Sequence, residues 1–129
     1  MEYSKDTLKH LMNEKILRHF GCEAQEATKQ QIYRAVSAVV RDILMQKRSV
    51  FERNARAKGA KRVYYMSMEF LVGTSLHNNL YNLGLEEAMG ETVADYDTDL
   101  QTLYEMEPDA GLGNGGLGRL ASCYMDAAT

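Results

Sequence analysis

Residues 110–120 read Ala-Gly-Leu-Gly-Asn-Gly-Gly-Leu-Gly-Arg-Leu, a dense group of glycines at the start of a helical pattern. Glycine tolerates a positive φ and lets backbone N–H groups approach a ligand closely, because it has no Cβ. Apolar residues then recur at the spacing of one helical face, namely Leu117, Leu120, Ala121, Tyr124, Met125 and Ala128. The sequence therefore predicts a glycine loop that leads directly into an amphipathic helix.

A glycine loop at the start of a helix favours the binding of an anion. The N–H groups of the first helical turn have no partner inside the helix, and the helix dipole adds partial positive charge there. We therefore predict a phosphate site built from backbone groups between Gly113 and Gly118. The alternative is a flexible loop or a tight corner where two backbone segments pack closely.

Two common phosphate motifs match this stretch only in part. Residues 113–118 satisfy G-x-G-x-x-G, which would indicate a dinucleotide-binding oxidoreductase. That motif should follow a buried strand, whereas residues 104–109 are polar and include Pro108. A Walker A loop would need Lys and Ser or Thr where Arg119 and Leu120 stand. The dinucleotide interpretation is therefore kept only as an alternative.

Composition indicates a globular segment of about one small domain. The formal net charge is -3, so we expect neither nucleic acid nor a membrane as a partner. The N-terminus lacks the apolar core of a signal peptide, so we expect a cytoplasmic protein in which Cys22 and Cys123 are reduced. No His, Cys and acidic residues are spaced as metal ligands, and no metal site is expected.

Local signals predict several helices. Ser4 can cap a first helix that ends at Gly21. Thr28 and Gln31 form a capping-box pattern ahead of a long helix that ends between residues 55 and 59. Further helices are predicted from Thr74 or Ser75, near residues 86–93 and near residues 98–105.

Residues 63–70 are predicted to form a strand. They are rich in β-branched, aromatic and apolar residues on both alternating faces, which is typical of a strand buried on both sides in an α/β sheet. Ligands of open parallel sheets bind beyond the C-terminal ends of strands, so Glu69 is a candidate functional residue. An ion-paired or capping carboxylate is the open alternative. Because one strand cannot form a sheet, we expect the chain to be part of a longer protein.

Two long segments resemble the α-glucan phosphorylases, the glycogen and maltodextrin enzymes. Residues 61–73 are similar to that family's first core strand, and residues 107–126 are similar to its glycine-loop segment. The resemblance implies an α/β fold, namely the helix-rich N-terminal part of a two-domain GT-B-type glycosyltransferase fold whose sheet is incomplete here. Residues 1–60 would be an N-terminal helical region, and residues 61–129 the start of the α/β catalytic domain.

The same resemblance implies an activity for the longer protein. Such enzymes cleave terminal α-1,4-linked glucose with inorganic phosphate and give α-D-glucose 1-phosphate with retained configuration. The implied cofactor is pyridoxal 5'-phosphate, bound by a lysine in a downstream region. The implied partners are an α-1,4-glucan, inorganic phosphate and a second subunit in a homodimer. We expect this chain alone to contain no catalytic residue and to be inactive.

Site residues follow from the resemblance position by position. Gly115 and Gly116 are expected to donate N–H groups to the substrate phosphate, Leu117 to contact the glucosyl unit through its backbone, and Asn114 to hold the loop's shape. The supporting residues are expected to be Glu69, Gly113, Gly118 and Arg119. Glu69 would lie near the sugar without being the proton donor. Arg119 would lie beside bound phosphate or pair with an acid such as Asp109.

Other functions stay open from the sequence. A dinucleotide-binding oxidoreductase fragment would use the same glycines, and a nucleotide-sugar glycosyltransferase would lack the cofactor lysine. A non-catalytic helical interaction module would keep the motif without the chemistry.

Overall fold

The computed structural model of the chain describes residues 3–128. Its elements are α1 (Lys5–Phe20), α2 (Lys29–Ala57), β1 (Phe70–Gly73), α3 (Leu76–Leu83), α4 (Glu86–Ala94), α5 (Leu100–Glu105), β2 (Ala110–Leu112) and α6 (Gly116–Ala127). A short 3-10 turn, Ala24–Glu26, joins α1 to α2. The described part of the chain is therefore rich in helix, with one small sheet.

The first two helices begin where the sequence predicts. The Ser4 side chain accepts a hydrogen bond from the Thr7 N–H, and α1 ends at Gly21 with a φ of 67°. At the start of α2, Thr28 and Gln31 each accept a hydrogen bond from the other's backbone N–H. These bonds satisfy N–H groups that a helix leaves unpaired, and their partners lie only three residues apart. Both predicted helix starts are confirmed.

Helices α1 to α5 share one apolar core. Its buried members are Leu8, Met12, Ile16, Ile32, Ala35, Val36, Val39, Val40, Ile43, Leu76, Leu80, Leu85, Met89, Val93 and Leu103. The core thus combines residues from both sides of position 60. The division into regions 1–60 and 61–129 stays a prediction.

Charged groups also join α1 to the end of α4. Lys9 and Lys5 both form ion pairs with Asp95. The hydrogen bonds from Lys9 and then Lys5 hold the pKa of the Asp95 carboxyl below its usual value. Because these ion pairs lie at the surface, each contributes little stability. They add to the contact between α1 and α4 that the apolar core already makes.

The predicted strand over residues 63–70 is wrong in its position. Strand β1 covers Phe70–Gly73, and the residues before it include Val63 and Met66, whose exposed fractions are 94% and 91%. A strand needs backbone partners, and within residues 3–128 the only strand paired with β1 is β2, in antiparallel orientation. The apolar pattern therefore marks a segment suited to burial, but the described elements cover little of it, mainly through the ring contact between Tyr65 and Tyr124 of α6.

Helix α6 packs against β1 with its small residues. The helix itself is confirmed, but of the predicted apolar stripe only Ala121 is buried, together with Gly118 and Ser122 from outside the stripe. Most of that stripe is exposed, as for Leu117, Leu120, Tyr124 and Met125. A Cβ on Gly118 would lie 3.0 Å from the Leu71 Cγ atom, so the backbones of α6 and β1 are close. Close approach selects small residues for this contact.

Candidate functional site

The site is built where β1 meets the glycine loop. Strand β2 pairs with β1 so that Phe70 lies opposite Leu112, and Leu71 lies opposite Gly111. Residues that follow β2 are therefore placed beside the residue that precedes β1, Glu69. The antiparallel pairing brings together two segments that lie about 40 residues apart in the sequence.

Glu69 lies directly against Gly113. A Cβ added to Gly113 would lie 2.5 Å from the Glu69 Cγ atom and 2.8 Å from its Cβ atom. Real Cβ atoms do not approach other heavy atoms this closely, so the contact requires glycine. Gly113 also has a φ of 97°, which side-chain-bearing residues rarely adopt. The sequence predicts that this loop contains glycine in a backbone conformation that other residues rarely adopt, and Gly113 has such a conformation.

A serine orients Glu69 from the other side. The Ser67 Oγ atom donates to the Glu69 carbonyl at 2.9 Å, and it accepts from the Glu69 N–H at 3.2 Å. The hydroxyl thereby holds the backbone in a local turn immediately before β1. Glu69 is consequently placed by a turn on one side and by the glycine loop on the other.

The start of α6 has backbone donors without a side-chain cap. Gly115 is the N-cap residue and provides no capping side chain, and the Gly118 N–H donates to the Gly115 carbonyl at 3.2 Å. For the N–H groups of Gly116 and Leu117, no acceptor lies within residues 3–128. Gly116 is exposed, and Leu117 has an exposed fraction of 73%. The loop therefore presents donors at the positive end of a helix dipole.

The remaining predicted residues, Asn114 and Arg119, are exposed. Within the described residues, the Asn114 side chain makes no hydrogen bond, so its role in holding the loop stays a prediction. The Arg119 Nη1 atom donates to the Leu71 carbonyl at 3.5 Å, and Arg119 forms no ion pair with Asp109. Arg119 thus contacts β1 while its guanidinium stays accessible.

One residue of this region, Glu107, has no role among the sequence predictions. Its Oε1 atom accepts from the Ser75 N–H at 2.8 Å, and its Oε2 atom accepts from the Leu76 N–H at 2.9 Å. Glu107 therefore supplies the capping bonds at the start of α3, a role that the sequence pattern assigns to Thr74 or Ser75. No short-range signal reveals this cap, because its two sides lie about 30 residues apart in the sequence.

Two classes of site are absent from the described residues. Nowhere between positions 3 and 128 do three or more His, Cys, Asp or Glu side chains lie close enough to hold a metal ion. Over the same residues, no helix combines the length and the apolar character needed to cross a membrane.

Comparison with known proteins identifies the family. The family model for carbohydrate phosphorylases matches residues 93–129, which include the glycine loop and α6. The chain belongs to the carbohydrate phosphorylase family. The family's phosphorylase interpretation is favoured over the dinucleotide-binding and interaction-module alternatives.

Individual relatives extend the similarity over most of this phosphorylase segment. It is 44% identical over 101 residues to the brain form of glycogen phosphorylase from Bos taurus, and 45% identical over 101 residues to the liver form from Homo sapiens. Each of these matches covers 78% of the chain. It is also 42% identical over 120 residues, or 90% of the chain, to glycogen phosphorylase from Chlamydia trachomatis. The matched part is 12% of each mammalian relative and 15% of the bacterial one.

Proposed function

We propose that the protein carrying this chain is an α-glucan phosphorylase. It cleaves terminal α-1,4-linked glucose with inorganic phosphate and releases α-D-glucose 1-phosphate with retained configuration. The observation that supports this most is the uncapped start of α6 beside Glu69, within a segment 42% identical to a bacterial glycogen phosphorylase. An anion site and a carboxylate suited to hydroxyl groups are what a reaction between phosphate and a sugar requires.

The glycine loop binds the substrate phosphate in this proposal. Gly115 and Gly116 donate backbone N–H groups to it, and Leu117 contacts the glucosyl unit through its backbone. Donors held rigidly at a helix start stabilise negative charge without having to reorganise during the reaction. The exposed guanidinium of Arg119, the fourth residue of α6, adds positive charge near the same anion.

Glu69 serves the sugar side of the site. A carboxylate repels a phosphate that comes close, but it accepts hydrogen bonds from hydroxyl groups. Because its side chain packs on Gly113, Glu69 also supports the shape of the loop. We therefore propose that Glu69 orients the glucosyl unit and is not the proton donor.

We propose that pyridoxal 5'-phosphate is bound by residues outside this chain. No lysine or arginine lies between Arg62 and Arg119, so the segment that forms the site contains no lysine for a Schiff base. The uncapped N–H groups of Gly116 and Leu117 are nevertheless compatible with a site that holds phosphate groups. When bound, the cofactor supplies a 5'-phosphate that exchanges a proton with the substrate phosphate.

The proposal extends to the architecture of the longer protein. We propose that residues 61–129 begin the first domain of a two-domain GT-B-type fold, preceded by the helical region 1–60. The exposed apolar segment before β1 is consistent with burial by further parts of such a domain. We further propose a cytoplasmic homodimer that acts on an α-1,4-glucan.

The test is phosphorolysis by the full-length protein. Maltoheptaose and inorganic phosphate should give glucose 1-phosphate, and the absence of this product would refute the proposed activity. Gly116→Ala probes the loop, because an added Cβ there meets no atom within 4 Å and should leave the fold intact. We expect its methyl group to crowd the anion and raise the KM for phosphate at least about tenfold.

A matched control is Gly90→Ala in α4. Its added Cβ would lie 3.6 Å from the Leu100 Cδ1 atom, an ordinary contact remote from the loop. We expect its KM for phosphate to match that of the unmodified protein. Equal KM values for both variants would contradict phosphate binding at the start of α6.

A further inference from the structure

The ladder between β1 and β2 is short, although it places the glycine loop beside Glu69. It consists of three residue pairs, and it is irregular between Leu71 and Gly73. Strand pairs this short are marginally stable, and a shift by one residue would reverse the faces of every side chain. Something besides the backbone ladder must therefore hold Gly113 opposite Glu69.

Glu107 links the start of β2 to the residues that follow β1, at the end of the ladder opposite the glycine loop. It precedes β2 by three positions, while its bonding partners Ser75 and Leu76 follow the end of β1. Its two oxygen atoms accept from two successive backbone N–H groups, and Oε1 also accepts from the Ser75 Oγ atom at 3.3 Å. Hydrogen bonds to an ionised carboxylate are stronger than those between neutral groups.

The same bonds tie the strands to the main core. Leu76 is buried with an exposed fraction of 4% and belongs to the core shared by α1 to α5. Ala121 of α6 is fully buried but is not part of that core cluster. Glu107 thus connects the rigid helical body to the segment that leads into β2 and the glycine loop.

We propose that Glu107 is a positioning residue for the glycine loop. Its carboxylate fixes the start of β2 relative to the end of β1, and this fixes the register that brings Gly113 against Glu69. Its effect on the reaction rests on the proposed phosphorylase function. Its effect on the order of the loop does not depend on that function.

The experiment compares three variants of the full-length protein. Glu107→Ala removes both capping bonds, and Glu107→Gln keeps one acceptor oxygen without the charge. The control is Asp99→Ala, because Asp99 caps α5 locally by accepting from the Thr102 N–H at 2.8 Å and does not bridge the strands. The measurements are the KM for phosphate, the thermal midpoint, and amide hydrogen exchange of residues 110–117.

We expect Glu107→Ala to raise the KM for phosphate about tenfold, because misplaced binding groups weaken substrate alignment. Glu107→Gln should give a smaller rise. Asp99→Ala should lower the thermal midpoint to a similar degree but leave this KM unchanged. An equal change of KM in Glu107→Ala and Asp99→Ala would overturn the proposal, because it would show a general loss of stability.

Hydrogen exchange tests the positioning role of Glu107 independently of the proposed phosphorylase activity. If the unmodified protein makes no glucose 1-phosphate, the phosphorylase proposal fails, and exchange alone decides the role of Glu107. Faster exchange of residues 110–117 in both Glu107 variants, but not in Asp99→Ala, would support positioning. Unchanged exchange in the Glu107 variants would overturn it. If Glu107→Ala does not fold, the comparison of Glu107→Gln with Asp99→Ala gives the same decision.

Discussion

Gly113→Ala should loosen the glycine loop while leaving the helical core intact. The φ of 97° at Gly113 is unfavourable for alanine, and such backbone strain costs about 1–3 kcal/mol. The new methyl group would lie 2.5 Å from the Glu69 Cγ atom, so Glu69 must move. Overpacking of this kind costs a further ~1–3 kcal/mol. We expect a total of about 3 kcal/mol, in the lower half of the combined range of about 2–6 kcal/mol.

The cost should be local to the loop. Because the cluster of buried residues in α1 to α5 does not include α6, the loop can open without unfolding the core. The assay is amide hydrogen exchange followed by mass spectrometry. Peptides covering residues 110–120 should exchange about a hundredfold faster, since each 1.4 kcal/mol is a factor of ten. Peptides from α2 should not change.

Gly116→Ala is the control within the same loop. Its added Cβ has open space around it, and alanine is a better helix former than glycine. Exchange in this variant should be equal to that of the unmodified protein or slower. If Gly113→Ala also exchanged like the unmodified protein, the contact between Glu69 and position 113 would not require glycine.

Two further predictions concern the helical core. Thr28→Ala removes the hydroxyl that caps the Gln31 N–H and should lower the free energy of unfolding by about 1 kcal/mol in urea titrations; an unchanged midpoint would contradict this. Lys9 and Lys5 hold the pKa of Asp95 below 3.8, so the stability that this carboxylate adds is present above that pH and is lost as the pH falls below it. Asp95→Asn should therefore lose less stability than the unmodified chain between neutral pH and about pH 3, and equal losses would count against the ion pairs.

The control for the acid titration is Asp109→Asn. Asp109 is exposed and has no ion pair with any residue from 3 to 128, so this substitution removes a carboxylate while the ion pairs of Asp95 with Lys5 and Lys9 remain. For Thr28→Ala, the mean ellipticity of the native state should stay the same, because the cap affects how stable α2 is and not whether it forms in the packed protein.

Local signals in the sequence were sufficient for both ends of α1 and for the start of α2. Ser4, Gly21, Thr28 and Gln31 act through bonds to residues three or four positions away, so their pattern contains all the information that the helix ends need. The glycine loop and the helix after it were predicted for a similar reason. Neither prediction depends on where distant parts of the chain lie.

Tertiary structure decided which of these residues meet. The strand was predicted too early because an apolar run shows what could be buried, whereas a strand forms only where a partner lies within bonding distance. Glu107 caps a helix from about 30 positions away, and Gly113 must be glycine because Glu69 packs on it. Sequence alone therefore determined the helices and the family's motif, because those depend on neighbours along the chain. The register and the contacts that shape the site depend on neighbours in space, which only the folded chain brings together.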